Sequence, residues 1–498
     1  MKHDVSLPSL FLLSCCLALA WGCQGGADVP DWLPAPVAHE PWPQHPFFAP
    51  NGKSNMHDDA YMSDTYEWPG PQGIAPEVSL QSFDGGINTC VTLAFDSKGR
   101  IWTTHVEPVN SQLVLLDPET LQVLASYDLP PRDVSDPLYP YGNTGGSTYF
   151  LLDWQERAIL ADEENALQIV AYDEPSGSFV QQARFDLSQY MVAMTPPARD
   201  HLQMALWDWS GQWLWFTSRY GVVGTLDPET GAVATTVLTG EEIENSFAVA
   251  EDGAYILTDH AMYRFQAAGD GTPEVVWSLS YDRGTRVKPG NFNQGSGSTP
   301  QVFGDMVAFT DNAEPRMHVL FARRSDGSVA CRLALFPQGR STTENALVGL
   351  VRKGPRGLEY SVIVDNNYGI HREEILADGR CWKDHEGGLA RVDALADAQG
   401  GYDCVQVWHS PEKSSQVLPK LSLATGLLYV YTYQWIEDLG DYAFFLTAVD
   451  FATGRTVFRI PTGQGLDYAN FGQPMAIAPD GAAYLGTLGG LLRVRDAR

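Results

Sequence analysis

Between Val78 and Arg498, apolar and polar residues alternate with period two in short runs, separated by Asp-Gly, Asp-Pro and Gly-rich turns. The segments VTLAFDSKGRIWTTH (91–105), FAVAEDGAYILTDHAMYRF (247–265) and AIAPDGAAYLGTLGGLLRV (476–494) show the unit. It is a strand, a tight turn, a second strand ending in polar residues, then a third strand. Such alternation lays one side of each strand on an apolar core, and Asp and Gly supply the backbone geometry that antiparallel hairpins need. Helical periodicity is nearly absent, so the chain predicts an all-β fold.

The unit recurs at 205–238, 299–312 and 446–460. First strands are expected near Val91, Thr148, Gln203, Phe247, Pro300, Ala346, Val417 and Met475, a spacing of roughly 43 to 72 residues. Four-stranded units of this size are propeller blades. The last copy reaches Arg498 after three strands, while an extra strand, EVSLQSF (77–83), precedes the first. The economical arrangement is a β-propeller of eight four-stranded blades in which this N-terminal strand completes the last blade and hides its edge. The irregular stretch from Ala346 to Ser415 keeps seven blades as the alternative count. Trp207, Trp209, Trp213 and Trp215 alternate within WDWSGQWLWF, a spacing that favours blade-to-blade core over an aromatic sugar platform.

The N-terminus divides differently. Lys2 precedes the apolar run LFLLSCCLALAWG (10–22), too short for a membrane-spanning helix and suited to a secretory leader. Its end, ALAWGC (18–23), resembles the bacterial lipoprotein signal, which implies that Cys23 is lipidated and becomes the first mature residue. The predicted organisation is a leader over 1–23, a Pro-rich tether and capping segment over 24–76, and the propeller over 77–498. Within the tether, PDWLPAPVAHEPWPQHPFFAP (30–50) reads as extended chain. The following residues, 51–73, gather Met56, His57, Tyr61, Met62 and Tyr66 among acids and are expected to pack on the domain as a strap. That strap would carry His57, Asp58 and Asp59 toward the channel.

Composition narrows the partners. Lys+Arg number 32 against 61 Asp+Glu, a net charge of −29, which argues against nucleic acid. Of seven cysteines, Cys15 and Cys16 fall in the leader and Cys23 at its end. Cys90, Cys331, Cys381 and Cys404 remain for an oxidising compartment. Cys381 and Cys404, close in sequence within one irregular repeat, are the expected disulfide, and Cys90 reads as a buried thiol. No Walker loop, HExxH helix, dinucleotide fingerprint or nucleophile elbow stands in the strand-to-helix context it needs.

LDPETG (226–231), LDPET (116–120) and VDFATG (449–454) resemble the quinoprotein-like propeller superfamily. AVAEDGAYILTDHAMYRF is similar also to the gluconolactonase, strictosidine synthase and paraoxonase propellers. The likeness spans 77–498 and speaks to fold far more than to activity. A quinone dehydrogenase would imply bound pyrroloquinoline quinone with a vicinal cysteine pair, and the mature chain has no such pair.

Propeller connectivity supplies a filter for chemistry, because the start of each first strand and the end of each second strand share one rim. That rim collects His105, Asp162, Glu163, Ser218, Arg219, Glu244, Asn245, Asp259, His260, Ser298, Asp311, Asn312, Glu344, Asn345, Asp365, Asn366 and Asn367. Carboxylates and amides of this kind suit Ca²⁺ or Mg²⁺. Resemblance to the lactonase and paraoxonase propellers implies Glu244, Asn245, Asp311, Asn312, Asp365 and Asn366 as metal ligands, with His260 or His105 as base. The competing reading makes TDH, TDN and VDN strand-end turns whose Asp and Asn satisfy backbone groups. The long junction SYDRGTRVKPGNFNQGSGSTP (280–300), echoed by YGNTGGSTYF (141–150), brings Arg283, Arg286 and Lys288 to an acidic protein. With Arg219 these cations would hold a substrate carboxylate or phosphate, or pair with acids of the rim.

The functional expectation is an exported, lipid-anchored propeller that binds a small polar molecule, an envelope protein or a glycan at the periplasm, outer membrane or cell surface. The alternatives are a divalent-metal-dependent lactonase or esterase and a quinone-dependent oxidoreductase.

Overall fold

Each repeat folds into four antiparallel strands, and the first strands begin within three residues of the expected positions. The computed structural model describes residues 32–83, 86, 88–136, 148–375, 379–470 and 472–497. Blade 1 comprises Asn88–Phe95, Ile101–Val106, Ser111–Leu116 and Val123–Leu129, and blades 2 to 7 follow with inner strands Phe150–Leu152, Leu202–Trp207, Ala248–Ala250, Gln301–Phe303, Val348–Gly354 and Lys420–Ser422. Blade 8 takes Met475–Ile477, Ala483–Thr487 and Gly489–Asp496 from the C-terminus and Pro76–Gln81 from the N-terminus, paired Pro76 to Asp496 through Gln81 to Leu491. The count is therefore eight. The stretch from 346 to 415 is a blade of its own, made irregular by an insertion over 366–388 between its second and third strands.

Blades 1 and 8 are further joined by a short parallel pairing of Asn88 and Thr89 with Gly489 and Gly490. Gly486 is required at this seam, since a Cβ there would run into the carbonyl oxygen of Cys90. The inner strands are buried on both sides, whereas outer strands such as Ser178–Asp186 show an exposed face. Between blades the core is aromatic: Trp102, Trp215, Tyr255, Tyr360, Tyr429 and Tyr484, each on a second strand, are fully buried. Trp207 and Trp213 are buried as well, and Trp209, half-buried, donates its indole N–H to Val249 O at 3.2 Å, so the tryptophan run is core.

The turns divide by face. Inner-to-second and third-to-outer turns lie on one face, and second-to-third turns with the blade-to-blade junctions lie on the other, the mouth. The LDPETG turn belongs to the first set, where Asp227 accepts from the N–H groups of Glu229 (2.9 Å) and Thr230 (3.3 Å) and Gly231 takes φ +74°. Asp117 and Asp450 close their turns in the same way. Asx capping fixes these turns from the sequence outward.

The disulfide differs from expectation. Cys331 on the outer strand of blade 5 is bonded to Cys404 on the outer strand of blade 6, with Cα atoms 5.6 Å apart. Cys381 is a thiol buried in the 366–388 insertion, outside that disulfide, and Cys90 is the buried thiol expected. Neighbouring outer strands meet in space although 73 residues separate their cysteines, whereas Cys381 lies on the mouth side of its blade.

Residues 34–50 are not a free tether. They cross the turn face, where Val37 N–H donates to Leu423 O (2.8 Å), Glu40 N–H to Val351 O (2.7 Å) and Ala49 N–H to Leu152 O (3.0 Å). Residues 52–66 then enter the axis as the predicted strap. Successive carbonyls accept from the free inner edges of the blades: Ser54 from Leu152, Ala60 from Val249, Tyr61 from Val302, Ser63 from Gly349 and Asp64 from Leu421, at 2.8 to 3.1 Å. Each bond pairs an edge N–H that would otherwise face the axis without a partner.

Candidate functional site at the mouth

The strap forms the floor beneath the mouth, and its polar side chains are spent on holding it. Lys420, wholly buried on the inner strand of blade 7, donates to Met56 O (2.9 Å), Asp58 Oδ2 (3.2 Å) and Asp64. Asp59 accepts from Lys53 (3.0 Å) and from Ser63 Oγ (2.5 Å), and Tyr66 donates to Asp58. Burial pushes Asp58 up to about 7 despite Lys420. His57 bridges Asp64 Oδ2 (3.2 Å) and Thr299 Oγ1 (3.1 Å), and Thr299 is 2.9 Å from Ser246 Oγ, at the start of blade 4.

Two residues before Ser246, Glu244 opens the polar cluster of the mouth. Arg219, at the end of the second strand of blade 3, places Nη1 3.5 Å from Glu244 Oε2 and donates Nη2 to Glu242 at 3.1 Å. Glu344, the equivalent of Glu244 two blades on, accepts from Asn291 Nδ2 (2.5 Å) and Phe292 N–H (2.9 Å) of the long junction. Arg372, from the blade 6 insertion, donates to Gly290 O (2.7 Å) and Gln416 Oε1 (3.0 Å) and stacks on Phe292 at 3.8 Å. All four charged groups are buried. Burial first, and the Glu344 charge second, push Glu244 up to about 8 against the pull of Arg219 and Arg372, so this carboxyl holds its proton at neutral pH. Burial raises Glu344 as well. Arg219 Nε and Glu344 Oε2 are buried without a hydrogen-bond partner among the described residues.

The remaining rim residues are committed elsewhere. Asn245 donates to Gly297 O at 2.6 Å. Asp311 accepts from Ala313 N–H (3.2 Å), His318 N–H (2.6 Å) and, at 2.8 Å, faces His318 Nδ1. Asn312 donates to Gln294 O at 3.0 Å, and Asn366 bridges Arg340 O (3.0 Å) and Gly387 O (3.2 Å). Asp365 accepts from Asn345 (2.7 Å), Asn367 (3.0 Å) and Thr343 (3.1 Å), and burial raises it to about 6. These five residues are therefore held by strand-end and junction contacts, with Thr342 bonded to both Asn312 and Asn366. No group of three or more His, Cys, Asp or Glu among the described residues is arranged to hold a metal ion. With guanidinium groups supplying the positive charge beside Glu244 and Glu344, this donor set does not fit a divalent cation.

Nor do the expected bases and cations converge. His260 sits between Asp259 (2.8 Å) and Arg283 (2.6 Å), and Arg283 also pairs with Asp259. His105 is buried against Phe83 with ring centroids 4.2 Å apart, and burial lowers its pKa. Arg286 pairs with Glu314 at 3.2 Å. Lys288, lowered to about 8 by burial, donates to Ala313 O (2.8 Å) and Ser341 O (3.0 Å), tying the junction down rather than facing a ligand. Of the expected site residues, Glu244 and Arg219 share one cluster, completed by Glu344 and Arg372. Arg372 carried no strand-end signal; the length of the insertion around it was the available hint. The echo segment 141–147 lies outside the described residues, as do the leader and Cys23.

No family model matches the chain. An uncharacterized protein of Archaeoglobus fulgidus is 26% identical over 314 residues, which cover 57% of this chain and 58% of that protein, so the chain spans less than two thirds of that relative's length. Among solved structures, quinohemoprotein alcohol dehydrogenase from Comamonas testosteroni superposes with a TM-score of 0.52 over 92% of this chain and 82% of its own, at 10% identity. BamB from Moraxella catarrhalis gives 0.38 over 68% of this chain and 93% of its own, at 11% identity. At these identities the shared property is the propeller fold.

Proposed function

We propose that the chain is an exported, lipid-anchored β-propeller that binds a ligand or protein partner at the cell envelope through its mouth face. The observation that carries this reading is the strap: it fills the axis from the turn face, so recognition is left to the surface built from the 281–300 junction and the 366–388 insertion. Long ordered loops on a rigid scaffold are where binding resides. The Cys331–Cys404 disulfide favours an oxidising compartment. Because Pro34 and Ala35 pack at Gly426, in the first turn of blade 7, the chain enters from the face opposite the mouth, an arrangement suited to presenting the mouth away from an anchor.

The test is photo-crosslinking in cells that make the chain with its own leader. Probes at Arg286 and Arg340 on the mouth are expected to give envelope adducts, while probes at Glu229 and Asp326 on the turn face give none. Equal adducts from both faces, or none from the mouth, would reject the reading.

One observation favours a hydrolase as second reading: Glu244 and Glu344 are a coupled pair of buried carboxyls, both raised by burial, of the kind that acid–base chemistry uses. Elemental analysis of the purified chain addresses the Ca²⁺ or Mg²⁺ form of that reading, since stoichiometric metal lost in a Glu244→Gln variant would restore a metal site at the mouth. The quinoprotein likeness rests on the DPETG turns and the fold, and a quinone-dependent oxidoreductase has no further support from the residues described.

A further inference from the structure

A half-open groove of about 310 Å³ lies between blades 6 and 7, apart from the Glu244 cluster. Its walls use Glu412 and Lys413 from the junction and Thr432, Gln434, Phe445 and Arg459 from blade 7. Strand pairing explains why these meet. Thr432 lies opposite Phe445 and Thr447 opposite Arg459, and the hydroxyls of Thr432 and Thr447 are 2.6 Å apart, so all four share one sheet face. Period two adds Gln434 to it.

The chemistry of the groove is unlike the rest of the molecule. Glu412 is buried and takes both of its bonds at 2.7 Å from a single nitrogen, Nη2 of Arg459, with Thr456 as a further donor. The carboxylate is thus consumed in fixing the guanidinium plane, while the Arg459 side chain stays 51% exposed. Lys413 is anchored to His385 O at 2.5 Å and is exposed. One acid and two cations leave a positive lip on a chain of net charge −29. Next to that lip stand a half-buried phenyl ring and an exposed amide, while Thr432 is buried with its hydroxyl on Thr447.

We infer that this groove binds the hexuronate ring of an acidic saccharide, with Arg459 and Lys413 on the carboxylate, Gln434 on ring hydroxyls and Phe445 against the apolar ring face. A fixed guanidinium recognises a carboxylate in two-point geometry, an aromatic face packs the C–H side of a sugar, and the volume is that of a small-molecule site, ~300 Å³ at the low end. Binding here is separable from partner capture at the mouth, so failure of either leaves the other standing.

The test is an NMR titration of the full chain with digalacturonate, neutral galactobiose and acetate. Digalacturonate is expected to saturate. Lys413→Gln, and independently Phe445→Leu, are expected to weaken it about tenfold with unchanged melting temperature, one charged or stacking contact being lost. No saturation by digalacturonate, equal binding of galactobiose or acetate, or parental affinity in both variants would overturn the inference.

Discussion

Glu244 and Lys420 are buried ionisable groups with opposite consequences. Glu244 is raised from the unfolded carboxylate range to about 8, so between about pH 4.5 and 8 the folded chain holds a proton that the unfolded chain has released. Folded-state stability from this group is present below that window and is lost as pH rises through it. Denaturant melts of Glu244→Gln are expected to match the parent near pH 5 and to exceed it as pH rises, the gap growing by about 1 kcal/mol per pH unit. A pH-independent gap would place the charge on another residue. Lys420→Met removes the cation that Asp58 and Asp64 share inside the strap. Breaking a buried pair from one side costs about 3–5 kcal/mol, and the loss measured by the same melts is expected to be larger at pH 8 than at pH 5, where the carboxyls take up protons. Glu244, Glu344, Arg219 and Asp365 were legible from strand ends alone, since propeller connectivity forces those positions to one rim. What they bind was not legible, because hydrogen bonds to loop backbone decide it: Asp311 turned out to cap His318, and Lys288 to tie two carbonyls.

At the level of elements, the inner strands and their Asx turns follow from alternation and local capping, which act within a few residues. Long connections are different. Arg372 reaches the Glu344 cluster only because the insertion folds back over Phe292, and Cys404 meets Cys331 because outer strands of successive blades abut. Sequence proximity pointed instead to Cys381, which is nearer in the chain but on the mouth side. Thiol mapping under denaturing, non-reducing conditions is expected to alkylate Cys90 and Cys381 and to leave Cys331 and Cys404 protected. The Cys331→Ser, Cys404→Ser double variant is expected to lose about 4 kcal/mol in denaturant unfolding, the value for a closed loop of this size. Alkylation of Cys331 with protection of Cys381 would return the bond to Cys381–Cys404.

The whole molecule is held by closure at two places: Pro76–Gln81 supplies the last strand of blade 8, and the strap ties the free inner edges together at the axis. The first was readable as a missing fourth strand at the C-terminus and a spare one at the N-terminus. The second was readable only as an apolar, Tyr- and Met-bearing segment among acids, since its carbonyl bonds to blades 2, 4, 5, 6 and 7 belong to no local pattern. The proposed use of the mouth rests on a sealed axis, and the most direct check of that claim is hydrogen exchange mass spectrometry on the full chain. The peptide spanning 53–66 is expected to exchange as slowly as the inner strands Gln301–Phe303 and Lys420–Ser422. Exchange within seconds, as for a segment that leaves the axis freely, would contradict the sealed axis and put the functional site inside the channel.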